Sequence, residues 1–171
     1  MKIAISGKSG CGNTTVSKII SEKLNLKFIN FTFRNLAQEK NMTLSEVLEK
    51  AKTDDFWDKE TDRRQLMEAR FSQNCVLGSR LAIWILAEAG FKAYLFADLE
   101  TRVRRIQKRE GGSFEEIKAF TEKRDGEDHE RYMKTYNINN NEYSFADLII
   151  DTGKYNADET ANLIINAIKN K

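Results

Sequence analysis

Short apolar runs alternate along this chain with longer stretches in which apolar residues return every three or four positions. The runs at 2–6, 27–30, Asn74–Gly78, Lys92–Ala97 and Asp147–Asp151 are brief and almost wholly apolar, so they read as strands buried on both faces. Val16, Ile19, Ile20 and Leu24 recur at helical spacing after the first run, and helices are expected over 13–25, 80–89, 99–109 and 157–169. Such alternation predicts an α/β fold, a parallel sheet covered by helices. Two helix-rich insertions interrupt it, at about 32–72 and about 110–145, leaving a core of 1–31, 73–109 and 146–171 in a single domain. Each insertion holds a capping box: Thr43-Leu44-Ser45-Glu46 in the first, Ser113-Phe114-Glu115-Glu116 in the second. Insertions of this size between strands carry function as lids or binding flaps more often than not. Asn139-Asn140-Asn141 marks a loop.

Composition narrows the picture only a little. With 171 residues, 40% of them hydrophobic, the chain is long enough for one proper core. A net charge of +2 is too mild to point to nucleic acid, so the placement of cations matters more than their number. Cys11 and Cys75 lie far apart without metal-ligand spacing, and Cys75, inside a strand, reads as a buried structural thiol. No run is apolar enough to cross a bilayer, and the amino end does not read as a signal peptide. A cytoplasmic protein with no membrane or nucleic-acid partner, and a monomer, is the expectation.

The chemistry starts at Gly7-Lys8-Ser9-Gly10-Cys11-Gly12-Asn13-Thr14, directly after the first strand and before the first helix. This is the phosphate-cradling pattern G-x-x-x-x-G-K-[ST] with Asn13 in place of the lysine. Main-chain N–H groups of such a loop and of the helix it opens form a nest for oxyanions. Glycine lets the backbone approach phosphate. Thr14 then stands where a hydroxyl can hold Mg²⁺, with Thr15 beside it.

Arginine donates two hydrogen bonds at once to a phosphate, and several arginines stand at telling places. Arg80 follows the third strand at the carboxyl edge of the sheet, where ligands of such folds bind, and Arg34 opens the first insertion. Arg105 and Arg109 are four apart, and Arg124 and Arg131 seven apart, so each pair shares a helix face if 113–136 is helical. The alternative is a solvated surface on which these arginines pair with Glu110, Glu115, Asp125 and Asp128.

Taken in order, several segments resemble the nucleoside monophosphate kinases, and in detail the short, archaeal-type cytidylate kinases. They are Ile5-Ser6-Gly7 to Thr14-Thr15-Val16, Phe33-Arg34, Asp62-Arg63-Arg64-Gln65 and Arg80-Leu81-Ala82. Arg105-Ile106 with Arg109-Glu110, Arg131-Tyr132, the Tyr136 region and Ile150-Asp151-Thr152 continue the series over nearly the whole chain. The resemblance implies a P-loop kinase three-layer sandwich, a five-stranded parallel sheet in which the first insertion binds the monophosphate and the second is a lid. It implies ATP and Mg²⁺ as cofactors, with CMP or dCMP as the acceptor. Arg34 and Arg80 would hold the acceptor's phosphate, Arg109, Arg124 and Arg131 would act as lid arginines on the transferring phosphoryl group, and the Gly7–Thr14 loop would wrap the β-phosphate with Thr14 on the metal.

For the base, a carboxylate suits the exocyclic amine of cytosine and donors suit its acceptors. Asp62, Arg63 and Gln65 can supply both, unless Asp62-Arg63-Arg64 is an exposed, self-paired helix turn. Thr152 and Tyr155 are plausible neighbours of adenine. His129 has no catalytic task to perform, because the attacking group is already a phosphate oxygen. Two departures stand out. Asn13 replaces the lysine, and Leu77-Gly78-Ser79-Arg80 lacks the acidic residue the family usually carries there to anchor the metal's water shell. Asp98 is either its substitute or a helix N-cap. A kinase for another small acceptor, a nucleotide-binding regulator with weakened catalysis, and an RNA-binding module built on the lid arginines are the competing readings.

Overall fold

The computed structural model describes all 171 residues. Its strands are β1 (Lys2–Ser6), β2 (Lys27–Ile29), β3 (Cys75–Gly78), β4 (Phe91–Phe96) and β5 (Leu148–Asp151). They pair entirely in parallel in the order β2-β3-β1-β4-β5. Ile3 lies opposite both Val76 of β3 and Phe91 of β4, so β1 is the central strand. Successive side chains of a strand point to opposite faces. Ile3 and Ile5 accordingly pack with Val16 and Ile20 of α1 (Asn13–Leu24) and with Ala161 and Ile164 of α8 (Ala157–Lys169). Ala4, between them, joins Leu77, Ala69 of α4 (Phe56–Phe71) and Ile83 of α5 (Ala82–Ile85) on the other face. The expected helix-covered parallel sheet of five strands is therefore what the chain builds.

The helix expected over 80–89 is a single turn, α5. Leu81, Ala82, Ile83 and Leu86 are all buried, so the segment has no polar face to offer solvent. The Ile83 N–H donates to Ser6 Oγ at 3.0 Å, which fastens the turn to the end of β1. Leu86 then leaves helical geometry and the chain enters β4.

Between β2 and β3 lie α2 (Phe33–Glu39), α3 (Leu44–Ala51) and α4, which share a small core of their own built on Phe33, Leu36, Val47, Leu48 and Trp57. The Thr43 capping box opens α3 as its sequence indicates. After α6 (Leu99–Glu110) comes α7 (Phe114–Tyr136), 23 residues opened by the Ser113 capping box. It covers the helix expected over 113–136, runs along α6 and reaches α4, where Arg131 and Tyr136 bond Asp58 and Asp62. No helix is long and apolar enough to cross a membrane.

Candidate functional site

At the carboxyl edge of the sheet a cavity of about 800 Å³ opens between the loop after β1, the helices α2 and α4, and α7. The loop forms one wall. Gly7 can carry no side chain, because a Cβ would lie 2.3 Å from Leu95 O of β4. Gly10 and Gly12 turn the chain at φ 84° and 96°, in the left-handed region that glycine enters freely. Of the amides from Lys8 to Thr15, only Cys11 N–H has a partner in the chain, Lys8 O at 3.1 Å. No side chain caps α1, whose N-cap is Gly12. A run of orphaned N–H groups at a helix start fits a polyphosphate. The Thr14 hydroxyl, exposed to the cavity and free of any partner in the chain, fits a place in the shell of Mg²⁺.

Asn13 is not a weakened cation. Its amide donates to Gly7 O and closes the loop across its base, while its Oδ1 is buried without a partner. Cys11 belongs to the core beneath, and burial raises its thiol pKa. From outside, α6 grips the loop by its carbonyl oxygens. Arg102 donates to Ser9 O at 3.2 Å, and Arg105 donates to Gly10 O at 3.2 Å and to the Thr152 hydroxyl at 2.9 Å. Thr152 in turn donates to Cys11 O at 3.0 Å, so it fastens the loop from below; Tyr155 is exposed and lines the cavity. Arg102 was hidden in the sequence by its charged neighbours. Its signal was position, since it shares a buried face with Val103 and Ile106. It also pairs with Asp125 of α7 at 2.8 Å and so links loop and helix.

Arg34, Arg80, Arg109, Arg124 and Arg131 all line the cavity. Arg80 pairs with Asp128, and Arg131 is held between Asp128 at 2.6 Å and Asp58 at 2.8 Å. Burial disfavours the charge of Arg131, but those two carboxylates outweigh it and raise its pKa. Its Nε is thereby committed to holding α7 against α4, while the bond to Asp128, on α7 itself, fixes the guanidinium in place. Arg124 is the least compensated of the five. Its closest carboxylate oxygen is 3.9 Å away on Asp128, and its Nε is buried without a partner. Burial, reinforced by Arg80, brings its pKa down to about 10, so it stays charged at neutral pH. At the mouth, Arg34 at 2.6 Å and Arg109 at 2.5 Å share one oxygen of Glu110. Burial opposes the ionised Glu110, yet Arg109 and Arg34 hold its pKa below the usual carboxylate range.

Farther along α4, Asp62 and Gln65 reach the cavity. Tyr136 donates to Asp62 at 2.8 Å, and burial pushes the Asp62 carboxyl up to about 7. Gln65 Oε1 is buried and unpaired. Arg63 does not join them: it lies on the solvent-exposed side of α4 and pairs with Glu60 at 2.9 Å. Asp98 is spent on capping α6 through Thr101 N–H at 2.7 Å and does not line the cavity. Ser79, in the stretch that lacks the acidic residue, lines it with a buried, unpartnered hydroxyl. No cluster of three or more metal-ligating side chains exists. His129 Nδ1 donates to Asn140 Oδ1 at 2.7 Å and fastens the loop after α7.

A family model described as the cytidylate kinase-like family matches residues 2–154. The chain is 46% identical over 168 residues to cytidylate kinase 2 of Borreliella afzelii, covering 96% of this chain and 94% of that protein. It is 38% identical over 173 residues to the cytidylate kinase of Archaeoglobus fulgidus, covering 100% and 96%. Its fold is similar to the solved shikimate kinase of Bacteroides thetaiotaomicron, with a TM-score of 0.66, 17% identity and 99% and 98% of the two chains covered.

Proposed function

The chain belongs to the cytidylate kinase-like family, and from that membership and the chemistry of the cleft we propose that it transfers the γ-phosphoryl group of ATP to the phosphate of CMP or dCMP. One observation carries the reading. A single cavity is lined by the phosphate loop with its orphaned amides, by five arginines that suit phosphate, and by Asp62 with Gln65.

In this reading the loop takes the β-phosphate, Thr14 would hold Mg²⁺, and the unpartnered Ser79 hydroxyl would be free to support the metal's hydration. The metal supplies neutralisation of charge on the phosphates. Arg80, at the end of β3, and Arg34, in the first insertion, take the acceptor phosphate. An oxygen of that phosphate bonds to the γ-phosphorus while the bond to the β–γ bridging oxygen breaks, and ADP departs with the electron pair. No proton has to be removed, so positioning and charge do the catalytic work. Arg124 is the guanidinium best suited to the moving group, because nothing in the chain neutralises it fully. Arg131 positions α7, and Arg109 closes the mouth from α6. Ionised Asp62 accepts from the cytosine amine, and the Gln65 amide supports the opposite polarity beside it.

The test is an acceptor screen with Mg·ATP against CMP, dCMP, UMP, AMP and a shikimate-like hydroxy acid, following ADP release. CMP or dCMP is expected to be preferred. Preference for another acceptor would overturn the base assignment, and ATP binding without turnover of any acceptor would favour a nucleotide-binding regulator.

A further inference from the structure

The pattern that builds a phosphate loop ordinarily brings its own cation, and here that position is occupied by a neutral amide tied to Gly7 O. A different cation of the loop is unoccupied. Lys8 is half-buried and lines two cavities at once, the large cleft and a pocket of about 10 Å³ beside it. That small pocket lies between the loop and the acceptor-side arginine, being bordered by Gly7, Arg80, Tyr94, Asp125, Asp128 and Asn140. Both carboxylates there are already engaged, Asp125 by Arg102 and Asp128 by Arg80 and Arg131. The ammonium of Lys8 is left without a paired anion. Arg34 and Arg109 share Glu110, Arg131 has two carboxylates, and Arg80 has one.

We propose that Lys8 is a catalytic residue: its ammonium, from the second position of the loop, binds the γ-phosphoryl group and takes over the charge that Asn13 does not supply. This rests on the reading of the cleft as a kinase site. A flexible four-carbon stem ending in a point charge suits the task, since it can follow a group that moves from donor to acceptor. Lys8 borders both the donor loop and Arg80, and the phosphoryl group must cross between them. Asn13 meanwhile keeps the loop in shape. The two jobs of one lysine are divided between two residues.

The experiment separates this proposal from the reading beneath it. Lys8→Met, Lys8→Arg and wild type are titrated in Mg²⁺ with ADP alone and with ADP plus beryllium fluoride, a mimic of the γ-phosphoryl group, by calorimetry. Thermal melts check folding. For Lys8→Met, ADP alone is expected to bind within about threefold of wild type, while the extra affinity conferred by beryllium fluoride falls about tenfold or more, and kcat with the best acceptor of the screen falls about 10²–10³-fold. Lys8→Arg should keep a good part of both. Adding Asn13→Lys to Lys8→Met should restore kcat at least in part, which a merely structural lysine would not allow. An unchanged fluoride increment in Lys8→Met, or failure of Asn13→Lys to restore any of the lost kcat in a double variant whose ADP affinity shows the loop intact, overturns the proposal. A wild type that shows the increment but phosphorylates no monophosphate defeats the kinase reading and leaves the phosphate contact of Lys8 standing.

Discussion

At the scale of single residues, Asp62 makes the sharpest statement. A carboxyl held near 7 by burial is ionised above neutrality and protonated below it. Ionised, it accepts from the amine of cytosine; protonated, it becomes a donor, which suits the carbonyl of uracil at the same place. The preference for CMP over UMP, measured as a ratio of kcat/KM, should therefore shrink as pH falls from 8 to 6, and Asp62→Asn should flatten that dependence. Stability carries the same sign. The folded pKa lies above the ordinary 3.8, so the folded protein retains a proton that the unfolded chain gives up. Stability is full below about 4 and is lost as pH rises through about 7. Melts of Asp62→Asn should show this slope removed. Arg124→Ala tests the transfer step: kcat should drop about 10²–10³-fold with a smaller change in KM for either nucleotide. Equal losses in both KM values would make Arg124 a ground-state binding group. Asp62 and Arg124 could be picked out from the sequence because their types suit the chemistry. Ser79 and Arg102 could not, since a serine after a strand and an arginine among arginines look like surface until burial is known.

Among the elements, α7 decides most. Its middle carries Asp125 toward the phosphate loop through Arg102, and its next turns carry Asp128 and Arg131 toward β3 and α4. Gly126 sits between these contacts in the helix interior, and a Cβ added there meets nothing within 4 Å. Gly126→Ala should stabilise the protein by about 1 kcal/mol, which is about 2–4 °C in Tm for a chain of this size. A fall in Tm would mean that the helix needs its glycine to bend. The length of α7 was legible because the Ser113 capping box and a long polar periodic stretch agree. The turn at α5 was not. Seven apolar residues in a row, Leu81 to Ala87, satisfy helix and strand templates alike, and that only one turn of them is helical shows only in the fold.

For the molecule as a whole, the five strands were readable to within a residue or two as short apolar runs, but the expectation that all are buried on both faces holds for the inner strands only: at the sheet's two edges, β2 shows Lys27 and β5 shows Ile149 to solvent. The loop after β1 was readable from its glycines, and the cavity gathers nearly every side chain the sequence singled out. What no linear pattern could show is the distribution of charge. The chain has a formal net charge of only +2, yet in the cleft Arg34, Arg80, Arg109, Arg124 and Arg131 face just Asp58, Asp128 and Glu110, with Asp62 half protonated near neutrality. Positive potential concentrated in a concave, partly dry space draws anions in from solution faster than unbiased diffusion would. Nucleotides should be captured at a rate that drops steeply from 20 mM to 300 mM salt, as screening shortens the reach of the field below about 10 Å. Stopped-flow association of a fluorescent ADP analogue would report it, with the rate of escape changing much less. In a crowded cell such an enzyme would compete for its polyanionic reactants by funnelling them in, before any contact has been made.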